Sequence, residues 1–158
     1  MDAGEYLDNI KEQLRAYDFE ERKTTKFNHP VFEKYQEGLF QDKAKTVVLK
    51  EVPDPTVEAV KESIEMVEKT IIQSENTIFG EDASPSHFYA ILIPSESTKA
   101  MDIAVERAAK NPSDRSNWYF LPILVNLDDE TLSYQDTSLM PHWEHRKMAR
   151  NIDDYFRV

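Results

Sequence analysis

The chain has 158 residues, of which 30 are Asp or Glu and 19 are Lys or Arg, so its formal net charge is −11. It has no Cys and only three Gly, each isolated, which excludes disulfides, thiolate chemistry and the glycine-rich loops that cradle phosphate groups. The excess of carboxylates also disfavours nucleic acid as a partner, because phosphates are repelled on average.

The length is typical of one domain, so we expect residues 1–158 to form a single domain with an N-terminal helical segment, residues 1–43, and an α/β body, residues 44–158. No apolar run approaches the roughly 20 residues that span a bilayer. The acidic, polar start of the chain is also unlike a signal sequence. These features predict a cytoplasmic protein that does not bind membranes.

The N-terminal segment is predicted to be helical. Between Asp2 and Tyr17, apolar side chains recur at helical spacing, at Tyr6, Leu7, Ile10 and Leu14. A shorter set, Phe32, Tyr35 and Leu39, indicates a second short helix that closes near Gly38.

Four segments of the body are predicted strands, because they are rich in β-branched and apolar residues and are bounded by Pro or by polar turns. They are residues 44–52, 87–94, 118–127 and 131–135. The run from Phe88 to Ile93 is apolar without alternation, which indicates a central strand covered on both faces. Pro122 interrupts the third segment and predicts an edge position, a bulge or a later strand start.

Apolar residues at helical spacing lie between and after these strands. The three sets are Val57, Val60, Ile64, Val67 and Ile71; Met101, Ala104, Val105 and Ala108; and, within residues 142–156, His145, Met148, Ala149, Ile152 and Phe156. The predicted fold is therefore of the α/β class. It has a single mixed sheet of about four strands, a βαβ centre and helices packed on the sheet, in the order β-α-β-α-β-β-α after the N-terminal helices.

The strand-to-helix junctions supply a candidate ligand site. In open parallel sheets, ligands bind beyond the carboxyl ends of the strands, where helix N-termini offer free N–H groups. Ser95, Ser97, Lys99, Asp54 and Asp128 would gather at this edge and could hold Mg²⁺ and an anionic substrate. The competing interpretation gives them local roles: Ser95 or Ser97 caps one helix, Asp54 caps another, and Asp128 lies in a hairpin turn.

Two further candidates lie near the end of the chain. His142 and His145 have a spacing that places two imidazoles on one side of a helix, where they could bind Zn²⁺ with ligands from elsewhere; a helix cap and a buried core histidine are the competing interpretation. Arg146, Lys147 and Arg150 form a basic stripe that could bind an acidic partner or pair with the chain's own carboxylates.

These observations favour a non-catalytic protein-binding or regulatory domain, comparable to inhibitors and immunity proteins, whose acidic surface attracts a basic protein partner. No cofactor is expected for that role. The alternative is a Mg²⁺-dependent enzyme that acts on a phosphorylated or otherwise anionic small molecule at the sheet edge. The sequence predicts neither the oligomeric state nor the identity of partner or substrate.

Overall fold

A computed structural model of the chain describes residues 1–22, 30–36, 42–78, 83–110, 119–135 and 143–158. In these ranges the chain forms four helices and six strands. The helices are α1 (Ala3–Ala16), α2 (Val57–Ile78), α3 (Lys99–Arg107) and α4 (Trp143–Phe156). The strands are β1 (Glu20–Arg22), β2 (Val31–Gln36), β3 (Asp42–Glu51), β4 (Ala83–Ile93), β5 (Tyr119–Asn126) and β6 (Thr131–Ser133).

The six described strands form one mixed sheet in the order β1-β2-β3-β4-β5-β6. Strands β3, β4 and β5 are parallel to one another, and the other neighbouring pairs are antiparallel. From β3 onward the elements follow the order β-α-β-α-β-β-α. The predicted α/β class with a single mixed sheet and a βαβ centre is therefore confirmed.

The central strand β4 separates two hydrophobic cores. Phe88, Ala90 and Leu92 face the core beneath α1 and α4, whereas Tyr89 and Ile91 face the core beneath α2 and α3. Every residue from Phe88 to Ile93 has an exposed fraction of 0%. This burial on both faces explains why the segment lacks the polar–apolar alternation of a half-exposed strand.

The predicted number of strands and the second N-terminal helix are wrong. The sheet has six strands in the described residues rather than about four, because β1 and β2 extend it on the β3 side. Of the residues that we predicted to be helical, Phe32 and Tyr35 lie in β2, which pairs with β3 from Val31 opposite Val48 to Gln36 opposite Lys43. Gly38 and Leu39 of the same prediction lie outside the described residues. Val31 and Phe32 are buried on opposite faces of the sheet, so their apolar character comes from strand burial and not from a helical face.

The caps of two helices also differ from the prediction. The backbone N–H of Met101 donates to the Thr98 side chain at 3.3 Å, so Thr98 caps α3 in place of Ser95 or Ser97. The backbone N–H of Ala59 donates to Thr56 Oγ1 at 3.0 Å, so Thr56 takes the capping role predicted for Asp54. In both junctions the Thr lies next to the first helical residue, where its hydroxyl reaches an otherwise unpaired N–H group.

Pro122 lies inside β5 at a gap in the pairing. The backbone of Phe120 exchanges two hydrogen bonds with Lys110 on the outer side of β5, at 2.8 and 3.0 Å. Residue 122 faces the same side as residue 120, because backbone groups alternate sides along a strand. Strand β6 begins to pair only at Leu124. The missing N–H of Pro122 therefore removes no bond of the ladder, and its position is locally that of an edge.

Candidate functional site

The carboxyl ends of β3, β4 and β5 lie along one edge of the sheet because the three strands are parallel and in register. Glu51 at the end of β3 is opposite Leu92, and Ile93 at the end of β4 is opposite Asn126. Three loops follow these ends: residues 52–56, 94–98 and 127–130. Neighbouring strands are about 5 Å apart, so the first and third loops start only about 10 Å apart.

The predicted ligand-binding residues lie in one region of this edge, but they do not contact one another through side-chain hydrogen bonds. Ser97 Oγ donates to Asp102 Oδ1 at 2.7 Å, within its own helix start. Asp54, Ser95, Lys99 and Asp128 are exposed. Among the described residues, no side-chain hydrogen bond connects any of these five positions to another.

The three loops carry five exposed carboxylates, and none of them contains Lys or Arg. We call this set the acidic edge; its members are Asp54, Glu96, Asp128, Asp129 and Glu130. The predicted ligand-binding set included only Asp54 and Asp128 of these five, although the acidic DDE run that follows a buried strand was a visible signal.

The turn between β5 and β6, which carries three carboxylates, is held by side-chain hydrogen bonds. Asp129 Oδ1 accepts hydrogen bonds from the backbone N–H of Thr131 at 3.1 Å and from its hydroxyl at 2.7 Å. The Asn126 side-chain amide donates to Thr131 Oγ1 at 2.9 Å from the base of the loop. Glu130 has a backbone φ of 58°, a left-handed conformation that is uncommon for residues other than Gly, Asn and Asp.

No topological switch point interrupts the carboxyl edge among the described elements. In doubly wound sheets a ligand crevice opens where successive crossover helices pass to opposite faces. Here α2 and α3 both contribute to the core on one face, because each strand from β3 to β5 is added on the same side of the preceding one. The edge is therefore a continuous surface, without a crevice between neighbouring strands.

A cavity lies beside the β5–β6 hairpin, on the face covered by α1 and α4. It has a volume of about 290 Å³ and is partly open to solvent. Its apolar lining includes Leu127, Leu132 and Phe156, and Glu130 and Arg157 bring charges to it. The first and last residues of the chain also line it. No sequence pattern could have identified this cavity, since its walls come from α1, β5, β6 and α4.

The Tyr6 hydroxyl fixes one side of this cavity by donating to the backbone carbonyl of Phe156 at 2.8 Å. Burial raises the pKa of Tyr6, so the hydroxyl keeps its proton and remains a donor. This bond joins α1 to the end of α4.

The histidine pair cannot be placed as a metal site. His142 lies outside the described residues, and the side chain of His145 is not described either. In the ranges that the structure describes, no three His, Asp or Glu side chains form a group that could hold a metal ion.

All three residues of the basic stripe are exposed on α4, on the side away from the buried Met148 and Ala149. They are Arg146, Lys147 and Arg150. Arg146 and Arg150 each take part in further interactions of the folded chain.

Two buried titratable side chains lie on the α2/α3 face of β4. Burial lowers the pKa of His87 to about 3, so its imidazole is neutral at physiological pH. Burial also raises the pKa of Tyr89 to about 12, and its hydroxyl is hydrogen-bonded to the hydroxyl of Ser63 on α2. Both groups are enclosed by the core and distant from solvent, which is typical of structural roles.

Comparisons with known proteins give no relative: no protein family matches the chain, and neither curated proteins nor solved structures include a significant match. The described helices include none whose length and hydrophobicity would allow it to cross a membrane.

Proposed function

We propose that this chain is a non-catalytic binding domain that regulates or inhibits a protein partner with a basic surface. The observation that supports this proposal is the acidic edge: its three loops carry five exposed carboxylates and contain no Lys or Arg, and the exposed Lys99 directly follows one of the loops. Carboxylates at this density repel one another, and a basic surface that faces them relieves the repulsion.

The spacing of the loops allows the carboxylates to act together. Adjacent loops start about 5 Å apart, within the Debye length of about 8 Å at physiological ionic strength, and the first and third loops start about 10 Å apart, slightly beyond it. The field of the acidic edge therefore extends beyond any single carboxylate. Such fields accelerate the association of oppositely charged proteins, and the acceleration decreases as salt rises.

A Mg²⁺-dependent enzyme at the same edge has less support. Both crossover helices lie on one face, so no crevice of the doubly wound type is available for a small substrate. The Ser97 hydroxyl already donates to Asp102, and Lys99 is the cationic side chain that an anionic substrate would have to use. The surrounding carboxylates would repel such a substrate.

The proposal is tested by neutralising the acidic edge. The edge variant combines Asp54→Asn, Glu96→Gln, Asp128→Asn and Glu130→Gln, and it spares Asp129 because that carboxylate accepts hydrogen bonds within the turn. The immobilised wild type and edge variant are incubated with the same cell extract at low ionic strength and eluted with increasing salt. We expect a basic protein to bind the wild type, to elute with salt, and to be lost from the edge variant.

A matched control removes the same number of charges elsewhere. The control variant combines Asp8→Asn, Glu12→Gln, Glu62→Gln and Glu65→Gln, four exposed positions on α1 and α2. It should retain the partner as well as the wild type does. The proposal is wrong if the edge variant retains the same proteins as the wild type. A rise in melting temperature on adding Mg²⁺ with an organic phosphate would favour the enzyme instead.

A further inference from the structure

The cavity beside the β5–β6 hairpin has the size of a pocket for one large side chain. An apolar cavity of about 150 Å³ is enough to bind benzene. The volume here is about 290 Å³, and Leu127, Leu132 and Phe156 give it apolar walls. An aromatic side chain therefore fits within it with space for the adjoining backbone to approach.

The charges around the cavity favour a cation next to that side chain. Arg157 lies at the cavity, but its Nε is 2.6 Å from Asp153 Oδ1, so its charge is already paired. The Met1 ammonium group donates to the carbonyl of Leu127 at 3.4 Å. Glu130 lines the cavity and is exposed, and Asp128 and Asp129 belong to the same loop. The three carboxylates of this loop outnumber the single Met1 ammonium group, so the hairpin side of the cavity has a net negative charge.

We propose that this cavity is the anchor pocket for the basic partner: it receives an aromatic or branched apolar side chain, and Glu130 pairs with a Lys or Arg next to that side chain. This inference rests on the proposed function and specifies the chemistry of the partner. Leu127 and Glu130 belong to the pocket, and the same loop supplies three carboxylates of the acidic edge, so one surface would contact both the anchor and its charged surroundings. Interfaces commonly concentrate binding energy in such buried anchors.

Three small probes that share one ring test the pocket without knowledge of the partner. The probes are indole, its cationic derivative tryptamine and its anionic derivative indole-3-acetate, titrated into labelled wild-type protein and followed by NMR. We expect shifts at Leu127 and Leu132, with tryptamine binding about three-fold more tightly than indole and indole-3-acetate more weakly. In Glu130→Gln the preference for tryptamine over indole should decrease. Absence of shifts at these leucines, or equal binding of the cationic and anionic probes, overturns the proposal.

A substitution that fills the pocket tests whether the partner binds there. Leu132→Trp places an indole in the cavity and leaves all five carboxylates in place, and Met66→Trp adds the same ring on α2, where Met66 is 45% exposed. Leu132→Trp should lose both tryptamine and the captured basic protein, whereas Met66→Trp should retain both at a similar melting temperature.

The two proposals fail in different ways. If Leu132→Trp still captures the partner, the anchor pocket is wrong and the acidic edge stands. If the edge variant still captures the partner, the proposed function itself is wrong. The probe titration needs only the wild type, so it decides the pocket even if the Trp variant does not fold.

Discussion

Because His87 is buried on the central strand, we expect the free energy of unfolding to decrease in mild acid. His87 lies on β4 between Thr46 of β3 and Phe120 of β5, and its exposed fraction is 1%. Burial lowers its pKa from 6.5 to about 3. The folded chain therefore keeps His87 neutral at pH values where the unfolded chain protonates it.

The size of the effect follows from these two pKa values. Because the folded-state pKa lies below that of the unfolded chain, the unfolded chain binds more protons as the pH falls below 6.5, and the free energy of unfolding decreases. The decrease continues until the folded state also protonates His87, at about pH 3. At about pH 5 the imidazole contributes a loss of about 2 kcal/mol, a substantial part of the roughly 5–15 kcal/mol typical of a domain.

The measurement compares wild type with His87→Gln, which keeps hydrogen-bonding capacity but does not titrate. Urea unfolding of both proteins at about pH 7.5 and about pH 5 gives two changes in free energy. We expect the wild type to lose about 2 kcal/mol more than the variant between these pH values. Carboxylates and the other histidines are present in both proteins, so their effects cancel. Equal losses would mean that the folded state protonates His87 as readily as the unfolded chain does.

Three further substitutions test the fold by urea unfolding. Tyr6→Phe removes the hydrogen bond to the Phe156 carbonyl and should cost about 1–3 kcal/mol, and an unchanged stability would mean that the bond contributes nothing. Phe88→Ala opens a cavity in the core beneath α1 and α4 and should cost about 3–5 kcal/mol; a loss below 1 kcal/mol would contradict its full burial. Pro122→Ala should cost less than about 1 kcal/mol, because no ladder bond changes. Its control, Ile123→Pro, removes an N–H on the β4 side and should cost several times more.

The centre of the sheet could be predicted because its local pattern and its final environment agree. The apolar run from Phe88 to Ile93 requires burial on both faces, and α2 presents Val60, Ile64 and Val67 to the sheet at helical spacing. These signals extend over only a few neighbouring residues. The fold class followed from them and from the order of the elements.

The N-terminal strands could not be predicted, because pairing with distant residues determines them. Phe32 and Tyr35 are three residues apart, as on a helical face, yet the hydrogen bonds of β2 come from pairing with β3. Strand β1 consists of Glu20, Glu21 and Arg22, which are all exposed. Such a strand has no apolar pattern, and it forms because β2 offers an unpaired edge.

The candidate site was predictable only in part. Parallel strands place Asp54, Ser97 and Asp128 at one edge whatever the details of packing, and that much followed from the order of the elements. The local roles depended on where the helices start, and the observed caps, Thr56 and Thr98, lie one to three residues after the predicted ones. The anchor pocket depends on how α1 and α4 meet, which no local pattern encodes.

The arrangement of the helices explains why the pocket lies beside the acidic edge. Because α2 and α3 occupy one face, the other face is covered by α1 and α4, and neither of these helices connects two parallel strands. Side-chain packing and the Tyr6 bond hold them together, and the cavity lies where they meet the β5–β6 hairpin.

A ligand in this pocket would contact α1, α4 and the hairpin at once, and it would bind only the folded chain. Binding should therefore raise the melting temperature as the ligand concentration increases. Tryptamine is expected to raise the melting temperature of the wild type and of Met66→Trp, and to leave that of Leu132→Trp unchanged. An equal rise in all three proteins would mean that tryptamine binds elsewhere, since only Leu132→Trp fills the pocket.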